Sequence, residues 1–205
     1  MNQITKFLIQ NKSIARVILG KRRFADLSIP GSRICTLFDR ENNNFLRLQI
    51  RDMDDWIQVE TIFLQEEFNL VQTGRKTQID YLKSKVKEAG YTPLILDIGA
   101  NIGLASRYFD LAFPGCKIIA VEPDIGNCNI ANTNIPPNCD LVSAGIAANA
   151  GSADLISTGR NVGFRLNHNT AGTVKLVQIH DLLQGADGNV PFLVKIDIEG
   201  FESDL

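Results

Sequence analysis

Histidine is nearly absent from this chain. There are two in 205 residues, and neither stands at metal-ligand spacing from the cysteines Cys35, Cys116, Cys128 and Cys139. No Cys-x-x-Cys pair occurs either, so no structural zinc or other metal site is expected. Scattered cysteines in a chain without an export signal are expected to be reduced thiols, not a disulfide framework. An excess of one charge is lacking as well. The 21 Lys and Arg against 23 Asp and Glu give a formal charge of −2, which offers no reason to expect nucleic acid or an anionic membrane as the main partner. Long apolar runs are missing from the first twenty residues, where the longest is three residues. That is too short for a signal core and far too short to span a bilayer, so a cytoplasmic protein without a transmembrane segment is expected. There is no internal repeat and no low-complexity tract. What remains is an ordinary globular composition, 44% hydrophobic and 21% charged, in a length that suits one α/β domain with a small extension.

Ile4, Phe7, Leu8, Ile14, Val17 and Ile18 suggest an amphipathic N-terminal helix, for which packing onto the domain is favoured over a peripheral membrane contact. Residues 33–38 and 45–50 read as strands around the turn-forming run 39–44, and 56–68 as a helix. A clearer helix is predicted over 75–89, closed by Gly90. From Pro93 strands and helices alternate: strand 94–98, helix 103–112, strand 117–122, helix 125–133, strand 140–147. Alternation of this kind implies a parallel sheet with right-handed crossovers. A Gly- and Asn-rich stretch, 151–183, breaks it with short strands at 153–157 and 173–179. Val190 to Ile198 then reads as another buried strand.

Three motifs carry chemistry. In the first, Asp97-Ile-Gly-Ala-Asn-Ile-Gly103, an apolar strand runs into a turn where Gly99 and Gly103 let the backbone bend sharply and approach a ligand. The turn presents the N-terminus of a helix at the carboxyl end of the sheet. In the second, Glu122-Pro123 ends the next strand, nineteen residues beyond Gly103, where a carboxylate can accept hydrogen bonds from a ribose diol. In the third, 193–202, Lys195, Asp197 and Glu199 alternate with Val194, Ile196 and Ile198, so the charged groups share one side of an extended strand. For Lys195 a structural ion-pair network and a functional role are both open. For Asp97, Glu122 and Asp197 function is favoured by their position at strand ends.

Together, in this order, the three motifs resemble the FkbM-type family of S-adenosylmethionine-dependent methyltransferases over roughly residues 60–205. The resemblance implies a Rossmann-like class I methyltransferase sheet: an α/β fold with a parallel core, helices on both faces, and a small α+β N-terminal extension. The domains would be 1–60 for the extension and 61–205 for the methyltransferase domain. The family's fold has further strands after the signature, so truncation after the fourth core strand is expected, with a homodimer through the uncovered sheet edge as one way to complete it. Carried over residue by residue, the resemblance implies cofactor contacts at Asp97, Gly99, Ala100, Asn101, Gly103, Glu122 and Pro123. Where the family has an acidic residue near Ala148 or Asn149, this sequence has none. The implied reaction is O-methylation of a small-molecule or sugar hydroxyl, with Asp197, Glu199 and His168 as candidate general bases; His180 reads as structural. Two other functions stay open. One is a cofactor-binding fragment or module without a complete acceptor site. The other is an NAD(P)-dependent oxidoreductase, whose G-x-G-x-x-G is not met here because Asn101 and Ser106 interrupt it.

Overall fold

The computed structural model describes residues 21–157, 164–168, 172–186 and 188–198, with the side chains of 155–168 left out of the description. The N-terminal helix expected over 4–18 lies outside these residues, as does Glu199. The chain divides into two compact units, Met1–Glu67 and Phe68–Leu205.

In the first unit β1 (Phe24–Asp26), β2 (Ile34–Asp39) and β3 (Asn44–Gln49) form an antiparallel sheet in chain order. Cys35, Leu37, Leu46 and Leu48 project to its buried side. The helix α1 (Met53–Val59) begins three residues earlier than the apolar spacing predicts. The cause is Asp52, whose carboxylate caps the N–H groups of Asp54 and Asp55. The helix then widens into a π turn, Glu60–Leu64, in which Gln65 N–H reaches Glu60 O at 2.8 Å. Buried Asp39 is held by a two-pronged bond from Arg23, at 3.0 and 2.8 Å.

The second unit opens with α2 (Lys76–Glu88), followed by β4 (Thr92–Ile98), α3 (Leu104–Ala112), β5 (Lys117–Glu122), α4 (Ile125–Asn134) and β6 (Cys139–Ser143). After these come β7 (Gly145–Ile146), β8 (Gly151–Ser157), β9 (Phe164–His168), β10 (Val174–Val177), α5 (Ile179–Gln184) and β11 (Asn189–Ile196). The main sheet has the order β11-β4-β5-β6, parallel throughout. The chain therefore runs outward from β4 on one side and returns to its other side with β11. A second sheet, β7-β10-β8-β9, is built from the segment that breaks the alternation.

Side-chain alternation divides the β4 residues between two environments. Leu94, Leu96 and Ile98, with Ile119 and Val121 of β5, pack with Ala144, Ile146, Val177, Leu182 and Ala186. Asp97 points the other way, to Ser106 of α3. Three sequence expectations change here. The strand expected over 140–147 divides at Ala144, and its last residues join β10 in the second sheet. The strand expected over 173–179 stops at Val177, because Gln178 and Asp181 form a capping box that starts α5. Finally, β11 is not a buried strand: β4 is its one sheet neighbour among the described residues, and Val194 and Ile196 are 45% and 43% exposed. Its apolar run follows from sharing a face with Leu96 and Ile98, its register partners.

Candidate functional site

The parallel order brings the three motifs to the same end of the sheet. Residues 99–103 leave the carboxyl end of β4. Glu122 closes β5 beside it, and Asp197 follows β11 on the other side. The turn needs left-handed backbone at three points, with φ of +76° at Gly99, +49° at Asn101 and +81° at Gly103. Gly99 and Ala100 both donate their N–H to Val121 O, at 3.0 and 2.9 Å, and Gly103 N–H donates to Ala100 O at 2.9 Å. The loop is thus stitched to the neighbouring strand and to itself.

The left-handed backbone agrees with the sharp turn read from the sequence, and protein neighbours add a second reason for the glycines. A Cβ at Gly99 would stand 1.9 Å from the carbonyl oxygen of Asp197, and one at Gly103 would stand 2.7 Å from Cγ2 of Ile135. Each glycine is required by a protein neighbour, so close approach to a ligand is not needed to explain either one. The loop is buttressed further by Asn134, whose Nδ2 donates to Ile102 O at 2.9 Å. Arg107 donates to the carbonyls of Asn134 and Ile135 at the end of α4.

Asp97 is fully buried. Its Oδ2 accepts from Ser106 Oγ at 2.7 Å, and its Oδ1 lies 3.1 Å from Lys195 Nζ. Lys195 also donates to Gly99 O at 2.7 Å and stands 3.7 Å from Asp197 Oδ2. Asp97 therefore lies beneath the loop as an anchor. The sequence singles out Ser106 only as a missing third glycine; its hydroxyl on α3 is what satisfies this carboxylate. The motif 193–202 does not present one row of charges on an extended strand, because β11 ends at Ile196. Lys195 folds inward, while the Asp197 side chain is 69% exposed.

Glu122 is 4% exposed. Its Oε2 accepts from Asn101 N–H at 2.8 Å, and its Oε1 accepts from Asp124 N–H and Asn127 Nδ2, each at 3.0 Å. Burial pushes its carboxyl above the usual glutamate range, against the pull of Asn127, Asp124 and Asn101, and the Asp124 charge adds to the rise. Two carboxylate oxygens offer about four acceptor positions. These three donors leave Oε2 able to accept one more. Asp124, just past Pro123, caps α4 by accepting from Asn127 N–H at 2.7 Å, which places Asn127 against Glu122.

His168 lies on β9, paired with Ala153 of β8, in the second sheet. His180 is exposed on α5 beside Gln184, its Nε2 2.8 Å from Gln184 Nε2. The four cysteines are free and buried, and burial pushes Cys35 up to about 11 and Cys139 up to about 12, so both stay protonated at neutral pH. Among the described residues no group of three or more His, Cys, Asp and Glu could hold a metal ion. Among them, too, no helix is long and apolar enough to cross a membrane. A cavity of about 450 Å³ in the first unit is lined by Arg33, Arg51, Asp52, Met53 and Trp56 among others, and contains none of the motif residues.

Comparison with known proteins points the same way as the motifs. The methyltransferase sdnD of Sordaria araneosa is 35% identical over 68 residues, which are 31% of this chain. The matched stretch covers 26% of that relative's length. No solved structure matches significantly. Residues 97–205, more than half of the chain, match the methyltransferase FkbM domain. The segment matched begins at the buried anchor Asp97 and takes in the glycine loop, Glu122 and the β11 strand end, and the chain belongs to the FkbM methyltransferase domain family.

Proposed function

We propose that this protein transfers a methyl group from S-adenosylmethionine to a hydroxyl of a small molecule or sugar, on a Rossmann-like class I core. The observation that carries the reading is the placing of Glu122. A buried carboxylate at the end of β5 bonds Asn101 N–H of the glycine loop and keeps an acceptor position. The chain order supports it. The chain lays β5 and then β6 on one side of β4 and returns with β11 on the other, so the loop and the β11 end flank the point where strand order reverses, and open α/β sheets bind ligands at such points.

The residues present fit the cofactor. The acceptor position left on the carboxylate suits one hydroxyl donor of a ribose, and the loop 99–103 with Ala100 and Asn101 lies against it; Asp124, after Pro123, holds the other oxygen through its N–H. Asp97 contributes by holding α3 and Lys195 under that loop, not by touching the ligand. When bound, S-adenosylmethionine supplies a sulfonium methyl open to in-line attack. The chain's part is to orient the acceptor, to exclude water, and to take the hydroxyl proton. Among the three candidate bases, Asp197 has an exposed carboxylate beside the loop. Glu199, two residues on, and His168 on β9 are the other two.

Calorimetric titration with S-adenosylmethionine and with NAD(P), followed by transfer of labelled methyl to hydroxylated acceptors, tests the reading. Binding of S-adenosylmethionine alone, with label recovered on an acceptor oxygen, is the expected result. Absence of binding refutes the site, and binding with no transfer to any acceptor supports a cofactor-binding module in place of an enzyme.

A further inference from the structure

Lys195 has an environment opposite to that of its neighbours. On a strand where Val194 and Ile196 are nearly half exposed, the lysine side chain is only 13% exposed. Lysine is ordinarily the residue left in water, and turning it inward costs hydration unless its donors are matched. They are matched. An ammonium has three N–H donors, and around Nζ stand Gly99 O at 2.7 Å, Asp97 Oδ1 at 3.1 Å and Asp197 Oδ2 at 3.7 Å. The nearest partner is the loop carbonyl, not a carboxylate. Asp97 Oδ1 accepts no hydrogen bond from any described group, so its tie to Lys195 is an ion pair alone. Two backbone features close the same joint: Asp197 N–H donates to Ile98 O at 3.0 Å, and the Asp197 carbonyl occupies the space where Gly99 lacks a Cβ.

We propose that Lys195 is a positioning residue that fastens the glycine loop to the end of β11, and so sets the loop and the Asp197 carboxylate in one fixed relation. Its consequence for catalysis rests on the methyl-transfer reading: the loop serves the donor side and Asp197 the acceptor side, and Lys195 is the side chain that touches both. The other role open to Lys195 is to neutralise Asp97. That role needs only the 3.1 Å ion pair and makes no use of the shorter bond to Gly99 O.

The two roles separate in a double variant. Lys195→Met alone strands a buried carboxylate and risks failing to fold, so Asp97→Asn is combined with it. The amide oxygen introduced by Asp97→Asn can still accept from Ser106, and no buried charge is left unpaired, since the Asp197 carboxylate is exposed. Backbone amide exchange over residues 99–103 is measured on the ligand-free full chain, beside its melting temperature, and S-adenosylmethionine affinity is measured by calorimetry. If Lys195 positions the loop, the double variant keeps a melting temperature near wild type. Its loop amides then exchange about tenfold or more faster, as expected for loss of a charge-assisted bond, and its affinity falls by a similar factor. Lys195→Arg, which keeps a donor in reach, restores part of the protection. A double variant whose loop exchanges and binds like wild type overturns the proposal and leaves Lys195 as a counter-ion. A wild-type chain that does not bind S-adenosylmethionine refutes the methyl-transfer reading instead, and the ligand-free exchange comparison still decides the role of Lys195.

Discussion

Gly99→Ala is the sharpest test of how this site is held together. A methyl group added there would lie 1.9 Å from the Asp197 carbonyl oxygen and 2.8 Å from its carbon, both backbone atoms. Since even close carbon–oxygen contacts stand at about 3.3 Å, the strand end must retreat by about 1.4 Å. That movement breaks the Asp197 N–H bond to Ile98 O and pulls Lys195 away from Gly99 O. A neutral hydrogen bond contributes about 0.5–1.5 kcal/mol and one to a charged group about 1.5–3 kcal/mol. Placing an L side chain at φ +76° adds about 1–2 kcal/mol of backbone strain. Gly99→Ala is therefore expected to destabilise the second unit by about 3–6 kcal/mol and to abolish S-adenosylmethionine binding. Gly90→Ala is the control. Its φ is +84°, but a Cβ there meets nothing within 4 Å, so only the strain of about 1–2 kcal/mol applies. Urea unfolding of both variants isolates the collision from the strain. Equal losses in the two variants would refute the argument that Asp197 is what forbids a side chain at residue 99.

Glu122→Gln replaces an acceptor with an amide that must turn its NH₂ toward one of three existing donors, so affinity for S-adenosylmethionine should fall by about 1–3 kcal/mol in calorimetry. Burial raises the Glu122 carboxyl above its unfolded value, so the folded state holds this proton more tightly, and stability should decline as pH rises from the ordinary glutamate range through the raised value. Unfolding curves of Glu122→Gln should lack that component, and a wild-type slope in the variant would clear Glu122 of it. In the first unit, burial works to raise the Asp39 carboxyl, but the bonds and charge of Arg23, with Asn42 and the Glu41 N–H, outweigh it and hold the group below the usual range. The stability this supplies is present above the unfolded carboxylate value and is lost as pH falls through it toward the depressed one. Arg23→Met should cost about 3–5 kcal/mol at neutral pH by leaving a buried charge unpaired, and it should flatten the acid limb of the stability curve; an unchanged limb would place the acid sensitivity elsewhere.

Local signals in the sequence determined the repeating strand and helix pattern from Pro93 to Asn134, because each element there carries its own period and its own stop. Leu94 to Ile98 reads as a parallel strand because both its faces are buried. The turn at 99–103 reads as a turn because glycine and asparagine tolerate positive φ. Glu122 was legible from its distance to Gly103. Partnerships across the fold were not. Apolar sequence alone cannot show which residues cover a strand, so β11 read as buried although Val194 and Ile196 are nearly half exposed. Nor could it show that the chain changes sheets at Ala144, since that depends on β10 lying beside Gly145 and Ile146. The inward turn of Lys195, the Asp197 carbonyl lying against Gly99 and the Ser106 bond to Asp97 join residues from 9 to 98 positions apart. The Lys195 and Asp197 contacts exist only once β11 has returned beside β4, and the Ser106 bond only once α3 has packed on β4, so tertiary structure alone decided that Gly99 and the buried Asp97 serve their neighbours in the fold.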